Sequence, residues 1–134
     1  MKIYLAARYD RREELCHYAD KLRGEGYTVD CRWLNGSHQL HPGAEKVEAA
    51  EDTMPMEAGA FAQDDIEDLR NADILIFFSE RPSANSKRGG CHVEFGIALA
   101  LGHRLIVVGA RENVFHCLPD VEQYHCFDDC LEAL

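Results

Sequence analysis

The chain has 134 residues, the size of one ordinary domain, and 46% of them are hydrophobic, enough for a core without metal or disulfide staples. Fourteen basic and twenty-four acidic side chains leave a net charge of −10, which argues against a nucleic-acid backbone or an anionic membrane as partner but leaves room for a small phosphorylated ligand. No apolar run approaches the roughly 20 residues of a membrane span.

The first stretch, KIYLAA at 2–7, reads as a buried strand. It is too short an apolar run for a signal peptide, so the expected compartment is the cytoplasm and the six cysteines are expected to be thiols. Residues 11–26 place Leu15, Tyr18, Ala19 and Leu22 at helical spacing, and Gly24 and Gly26 stop that helix. YTVDCRW at 27–33 is a second strand by its alternation. Residues 34–57 form a long connection, read either as a lid or as a simple excursion. FAQDDIEDLRNA at 61–72 is a helix with Ile66 and Leu69 inward. DILIFF at 73–78 is a continuous apolar run, as expected of a strand covered on both faces. A turn-rich loop, SERPSANSKRGG, leads into a helix at 91–102, and RLIVVG at 104–109 is another buried strand. YHCF at 124–127 is a weaker strand candidate, followed by a short terminal helix.

Strands alternating with helices predict one α/β domain over 1–134, a flavodoxin-like or Rossmann-like three-layer sandwich with a parallel sheet of about five strands. In such sheets ligands bind beyond the carboxyl ends of the strands. Attention therefore falls on Ala7 to Arg12, on Arg32 onward, on Ser79 to Gly90 and on Gly109 to His116.

Several residues in those regions carry chemistry. Gly89 and Gly90 open a helix beside Lys87 and Arg88, which suits either a phosphate or hydroxyl cradle or an ordinary tight turn. Glu94 follows in an otherwise apolar helix. It is either a carboxylate favoured by the helix dipole or a nucleophile that the helix N-terminus keeps ionised. Asp64 and Asp65 open the earlier helix, and a second carboxylate beside Glu94 would suit cleavage of a glycosidic bond. Tyr4 sits in the first strand, where its hydroxyl either bonds a neighbour or orients a carboxylate. His116, Cys117, His125, Cys126 and Cys130 make a loose cluster without the paired spacing of a zinc site, so no metal and no cofactor is expected.

Taken together, KIYLAAR, DDIEDLRNADILIFF, GGCHVEFGIALALG and NVFH resemble the nucleoside 2-deoxyribosyltransferase family and its relatives, the 2′-deoxynucleoside 5′-monophosphate N-glycosidases. The likeness runs through most of residues 2–116, and Gly-x-x-Val-Glu-Phe-Gly is its most specific part. The resemblance implies that Glu94 attacks the anomeric carbon, that Tyr4 holds Glu94, and that Asp65 contacts the base and helps it leave. It implies that Asn113 is lent to the site of a neighbouring subunit, hence a homodimer or higher oligomer. Ala6, Arg8, Gly89 and Gly90 fall where the substrate would bind. Six residues before the glutamate, the transferases tend to carry Asp and the monophosphate hydrolases Ser; here stands Arg88, which would pair with a 5′-phosphate. Arg8, Arg11 and Arg12 add positive charge after the first strand, or are ordinary solvated helix charge.

The implied reaction is two-step and retaining, through a deoxyribosyl ester of Glu94 that a second base or water then opens. The substrate is a small deoxynucleoside or its 5′-monophosphate. Two other classes remain open on the sequence: a nucleotide-sensing module without catalysis, and a redox or metal protein built on the tail cysteines.

Overall fold

In the computed structural model, residues 1–36, 55–80 and 89–134 are described, with the side chains of 55–57 excepted. Arg88, Lys87 and most of the two long connections lie outside them. Four strands, β1 (Ile3–Ala6), β2 (Ile74–Phe78), β3 (Arg104–Val108) and β4 (Val121–Tyr124), form one parallel sheet in that order. Four helices cover it: α1 (Arg12–Gly24), α2 (Pro55–Arg70), α3 (Gly90–Ala100) and α4 (Phe127–Ala133). The α/β architecture is as expected.

Every residue of β1 and β2 is buried, which explains their unbroken apolar runs. Register fixes which side chains share a face. Tyr4 pairs with Leu75 and Ala6 with Phe77, so these four point one way. Phe77 meets Phe95 of α3 edge to face at 5.8 Å, which puts α3 on that side. Phe78 points the other way and stacks on Tyr18 of α1 at 5.2 Å, while Phe127 of α4 stacks on the same tyrosine at 4.1 Å. The helices α2 and α3 therefore cover one face, and α1 and α4 the other.

The sheet has four strands rather than five. The expected second strand survives as a single parallel bridge between Lys2 and Thr28. The reason lies in its side chains. The outer edge of β1 is satisfied by Cys31, whose sulfur accepts from the Leu5 N–H at 3.3 Å, and by Trp33, whose Nε1 donates to the Leu5 carbonyl at 2.9 Å. With those backbone groups already bonded, no further strand is needed to close the edge. Residues Arg32–Asn35 then turn into a 3₁₀ turn that buries Trp33 and Leu34.

The last strand also shifts. It occupies Val121–Tyr124 instead of 124–127, and Phe127 opens α4, whose first turn carries Asp128 and Asp129 in keeping with the helix dipole. Helix α2 starts earlier than its apolar spacing suggests, at Pro55, a residue pre-shaped for the first helical position. Cys130 is buried in the core, while Cys117 and Cys126 are exposed free thiols. Among the described residues no group of three metal-ligating side chains assembles, and no helix is long and apolar enough to cross a membrane.

Gly109 ends β3 with φ +108°, and a Cβ there would fall 2.5 Å from Ser79 Oγ. Its N–H donates to the Tyr124 carbonyl and its own carbonyl accepts from Gln123 Nε2, so the backbone has little freedom to yield. Gly109→Ala is expected to cost about 1–3 kcal/mol of stability, read as a lower denaturation midpoint. A midpoint equal to the parent's would show that the turn relaxes freely.

Candidate active site

Three elements carry the predicted catalytic side chains to one place. Tyr4 projects from the middle of β1 onto the face covered by α2 and α3. Glu94 sits on α3 and Asp65 on α2. The three interact electrostatically: Glu94 and Asp65 both act on Tyr4, and Asp65 acts on Glu94. Ala6 is buried on the same face as Tyr4, one pleat nearer the carboxyl end of the strand. Its small side chain leaves room above the tyrosine.

The Tyr4 hydroxyl and Glu94 Oε2 are both buried, and the hydroxyl acts on the Glu94 and Asp65 carboxyls as a hydrogen-bonding neighbour. Burying a carboxyl is costly, and that neighbour offsets part of the cost.

The electrostatics correct one expectation. Glu94 is not held ionised at neutral pH. Burial pushes its carboxyl up to about 8, the negative charge of Asp65 adds to this, and only the Tyr4 hydroxyl pulls it down. Glu94 is the fifth residue of α3 and so lies past the first turn, where the helix dipole is strongest. Asp65 is pushed up to about 7, first by burial and then by Asp68 and Asp64, against the opposing pull of Arg32 and Tyr4. Neighbouring Cys91, one helical turn before Glu94, is driven by burial up to about 11 and is a neutral thiol. Both carboxyls are thus shifted toward keeping their protons, Glu94 further than Asp65.

Gly89 caps α3 in the left-handed region at φ 72°, which a glycine adopts without strain, and its carbonyl accepts from the N–H groups of His92 and Val93. Gly90 is the first helical residue. The two glycines thus open the helix, a feature that the cradle and the ordinary turn share.

Asn113 caps the 3₁₀ turn Val114–Cys117, its Oδ1 accepting from the N–H groups of Phe115 at 2.9 Å and His116 at 3.3 Å. Its Nδ2 lies 3.4 Å from His92 Nδ1 on α3 of the same chain. His92 in turn faces Glu112, Nε2 to Oε2 at 3.2 Å. His116 is fully buried and neutral, kept so by burial, and its Nδ1 accepts from the Glu112 N–H at 3.0 Å. This His–Glu–His–Asn group ties the loop after β3 to the start of α3.

The arginines after β1 are more occupied than the sequence suggests. Arg11 forks onto Glu14 at 2.8 and 2.9 Å and also reaches Glu80 and the Ser79 carbonyl. Arg12 donates to the Leu34 carbonyl at 2.7 Å and packs its guanidinium over Gly36. Arg8 pairs with Asp10 at 3.3 Å. Arg11 and Arg12 act as clamps within the fold. Arg8, directly after β1, is the one of the three nearest the strand's carboxyl end.

Sequence reasoning missed Arg32. It holds α2 against the 3₁₀ turn through Asp64, Glu67 and Asp68. The signal was present: those three acids repeat at i, i+3 and i+4 and so share a helix face that calls for a cation.

No protein-family model and no curated protein matches the chain. Solved structures do. A CMP N-glycosidase from Clostridium botulinum, BcmB, is 18% identical and superposes with a TM-score of 0.58 over 99% of this chain and 96% of its own. A 2-deoxyribosyltransferase from Bacillus psychrosaccharolyticus is 21% identical, with a TM-score of 0.61 over 97% of this chain and 90% of its own. The chain has the 2-deoxyribosyltransferase fold. The resemblance drawn from the sequence motifs therefore holds at the level of fold. Within that fold, Tyr4 and Ala6 lie on the face of β1 covered by α2 and α3, the helices that carry Asp65 and Glu94.

Proposed function

We propose that this protein cleaves the N-glycosidic bond of a nucleoside or its 5′-monophosphate and passes the sugar to water or to another base. The observation that supports this most is the grouping of two carboxyls raised by burial, Glu94 and Asp65, with the Tyr4 hydroxyl acting on both. Two carboxyls with an orienting hydroxyl suit a displacement at an anomeric carbon.

Glu94 attacks C1′ as its carboxylate, forming a C–O bond while the C1′–N bond breaks and its electron pair leaves with the base. Asp65 hydrogen-bonds the base, and the base gains its proton from Asp65 or from water. Water or an incoming base then attacks C1′ of the ester, and Glu94 departs as a carboxylate. A 2′-deoxy sugar reaches the oxocarbenium-like transition state more readily than a ribose, so the deoxy series is the first choice of substrate. Arg88, with Arg8, would receive a 5′-phosphate. Asn113 would serve the site of a second subunit, and the exposure of its neighbours Val114 (77%), Phe115 (57%) and Val93 (63%) supports a covered apolar surface there. The protein would act in the cytoplasm with its cysteines reduced.

The test is a panel of deoxynucleosides, their 5′-monophosphates and CMP, with and without a free acceptor base, followed by chromatography for released or exchanged base. Release from at least one is expected, with exchange marking a transferase. A folded protein that releases base from none of them overturns the reading; tight binding without turnover would make it a sensing module.

A further inference from the structure

We infer that Arg32 is a positioning residue for this site: it fixes the turn of α2 that carries Asp65 and keeps a cation beside that carboxyl. The inference rests on the proposed glycosidic reaction. Its test is chosen to report even if that reaction fails.

The geometry is specific. Arg32 Nη2 donates to the Asp64 carbonyl at 3.1 Å, the peptide oxygen immediately before Asp65. Its Nε donates to Asp68 Oδ1 at 3.0 Å, and its own N–H donates to Asp68 Oδ2 at 2.9 Å. Its Nη1 lies 3.2 Å from Asp64 Oδ1. The Asp68 side chain is only 9% exposed, so its end of the grip is sheltered, while the Arg32 side chain stays partly open to solvent. One residue thus holds the helix on both sides of Asp65. It does so from the segment whose Cys31 and Trp33 are already fastened to the edge of β1, the strand that carries Tyr4. Arg32 therefore sets the height of Asp65 relative to Tyr4.

Charge adds a second effect. Asp65 feels Asp64 and Asp68 from its own helix, Tyr4 from β1, Glu94 from α3 and Arg32 from the turn. Among the described residues, Arg32 is the cation acting on it. Burial first, then Asp68 and Asp64, push the Asp65 proton to stay; Arg32 and the Tyr4 hydroxyl oppose them. A lysine could supply the charge but not the forked hold on a carbonyl and a carboxylate together.

The experiment titrates the Asp65 side-chain carboxyl by carbon-detected NMR in the whole protein, in the parent, Arg32→Gln and Arg32→Lys, with Asp65→Asn to assign the signal. In Arg32→Gln the midpoint is expected to rise above the parent's by about half a unit or more, and in Arg32→Lys to stay near it. Where base release is measurable, Arg32→Lys is expected to lose about tenfold in kcat at a KM close to the parent's, because the charge is kept and the placement is not. An unchanged Asp65 midpoint in folded Arg32→Gln overturns the inference. Should Arg32→Gln fail to fold, Arg32→Lys decides, and parental kcat in that variant overturns it. Absence of activity in the parent would count against the proposed reaction alone, since the titration reads Arg32 without substrate.

Discussion

Glu94→Gln is expected to abolish base release, by about a thousandfold or more, and to give a protein more stable than the parent at pH 8. The first half follows from removing the proposed nucleophile. The second follows from where the carboxyl sits. Glu94 has an ordinary value of 4.5 when unfolded and is pushed to about 8 by burial when folded. Between those values the folded state binds the extra proton, so raising the pH favours unfolding. The stability tied to that proton is present below about 4.5 and is lost as pH climbs through 8. Asp65, raised from 3.8 to about 7, works in the same direction. Each such group contributes a slope of at most about 1.4 kcal/mol per pH unit across its window. Glutamine carries no proton to lose. The gain in midpoint of Glu94→Gln over the parent should thus be small at pH 5 and largest above pH 8. Urea denaturation at the two pH values checks it; an equal difference at both would show that the carboxyl is not held in a proton-retaining site.

That outcome also separates what was legible in the sequence from what was not. Tyr4, Asp65 and Glu94 stand out because each is a polar residue in an apolar pattern, on three different elements that a parallel sheet brings to one end. The fold follows from the same alternation. The protonation of Glu94 does not, because it depends on the burial created when α3 docks on β1. Residues 27–33 mislead for a different reason. Val29, Cys31 and Trp33 are buried and Thr28 and Asp30 exposed, which is the pattern of a strand. Beyond the backbone bonds of Thr28, the side chains of Cys31 and Trp33 bond to β1, and pattern alone cannot tell the two apart. The arginines after β1 look like a basic mouth in sequence, but Arg11 is neutralised by Glu14, three residues on, and by Glu80, just past the end of β2.

Tyr4→Phe carries the second large effect, and it should appear in function without a matching loss of stability. Deleting the buried hydroxyl leaves the ring packed and removes only its contact with the Glu94 and Asp65 carboxyls. The folded protein should stay within about 1 kcal/mol of the parent. Catalysis is another matter. Tyr4 is the group that draws the Glu94 proton off, against burial and the charge of Asp65. Without it, the carboxyl titrates above about 8, and less of the protein carries an ionised nucleophile at neutral pH. The parent's kcat/KM should rise with pH through about 8, as Glu94 ionises in the free enzyme. In Tyr4→Phe that rise should move to higher pH, with a loss of about tenfold or more at pH 7 that shrinks as the solution is made alkaline. A merely structural tyrosine would instead lower activity by the same factor at every pH and depress the unfolding midpoint. If the rise stays where it is in the parent, Tyr4 does not govern the Glu94 proton, and its hydroxyl serves the substrate directly.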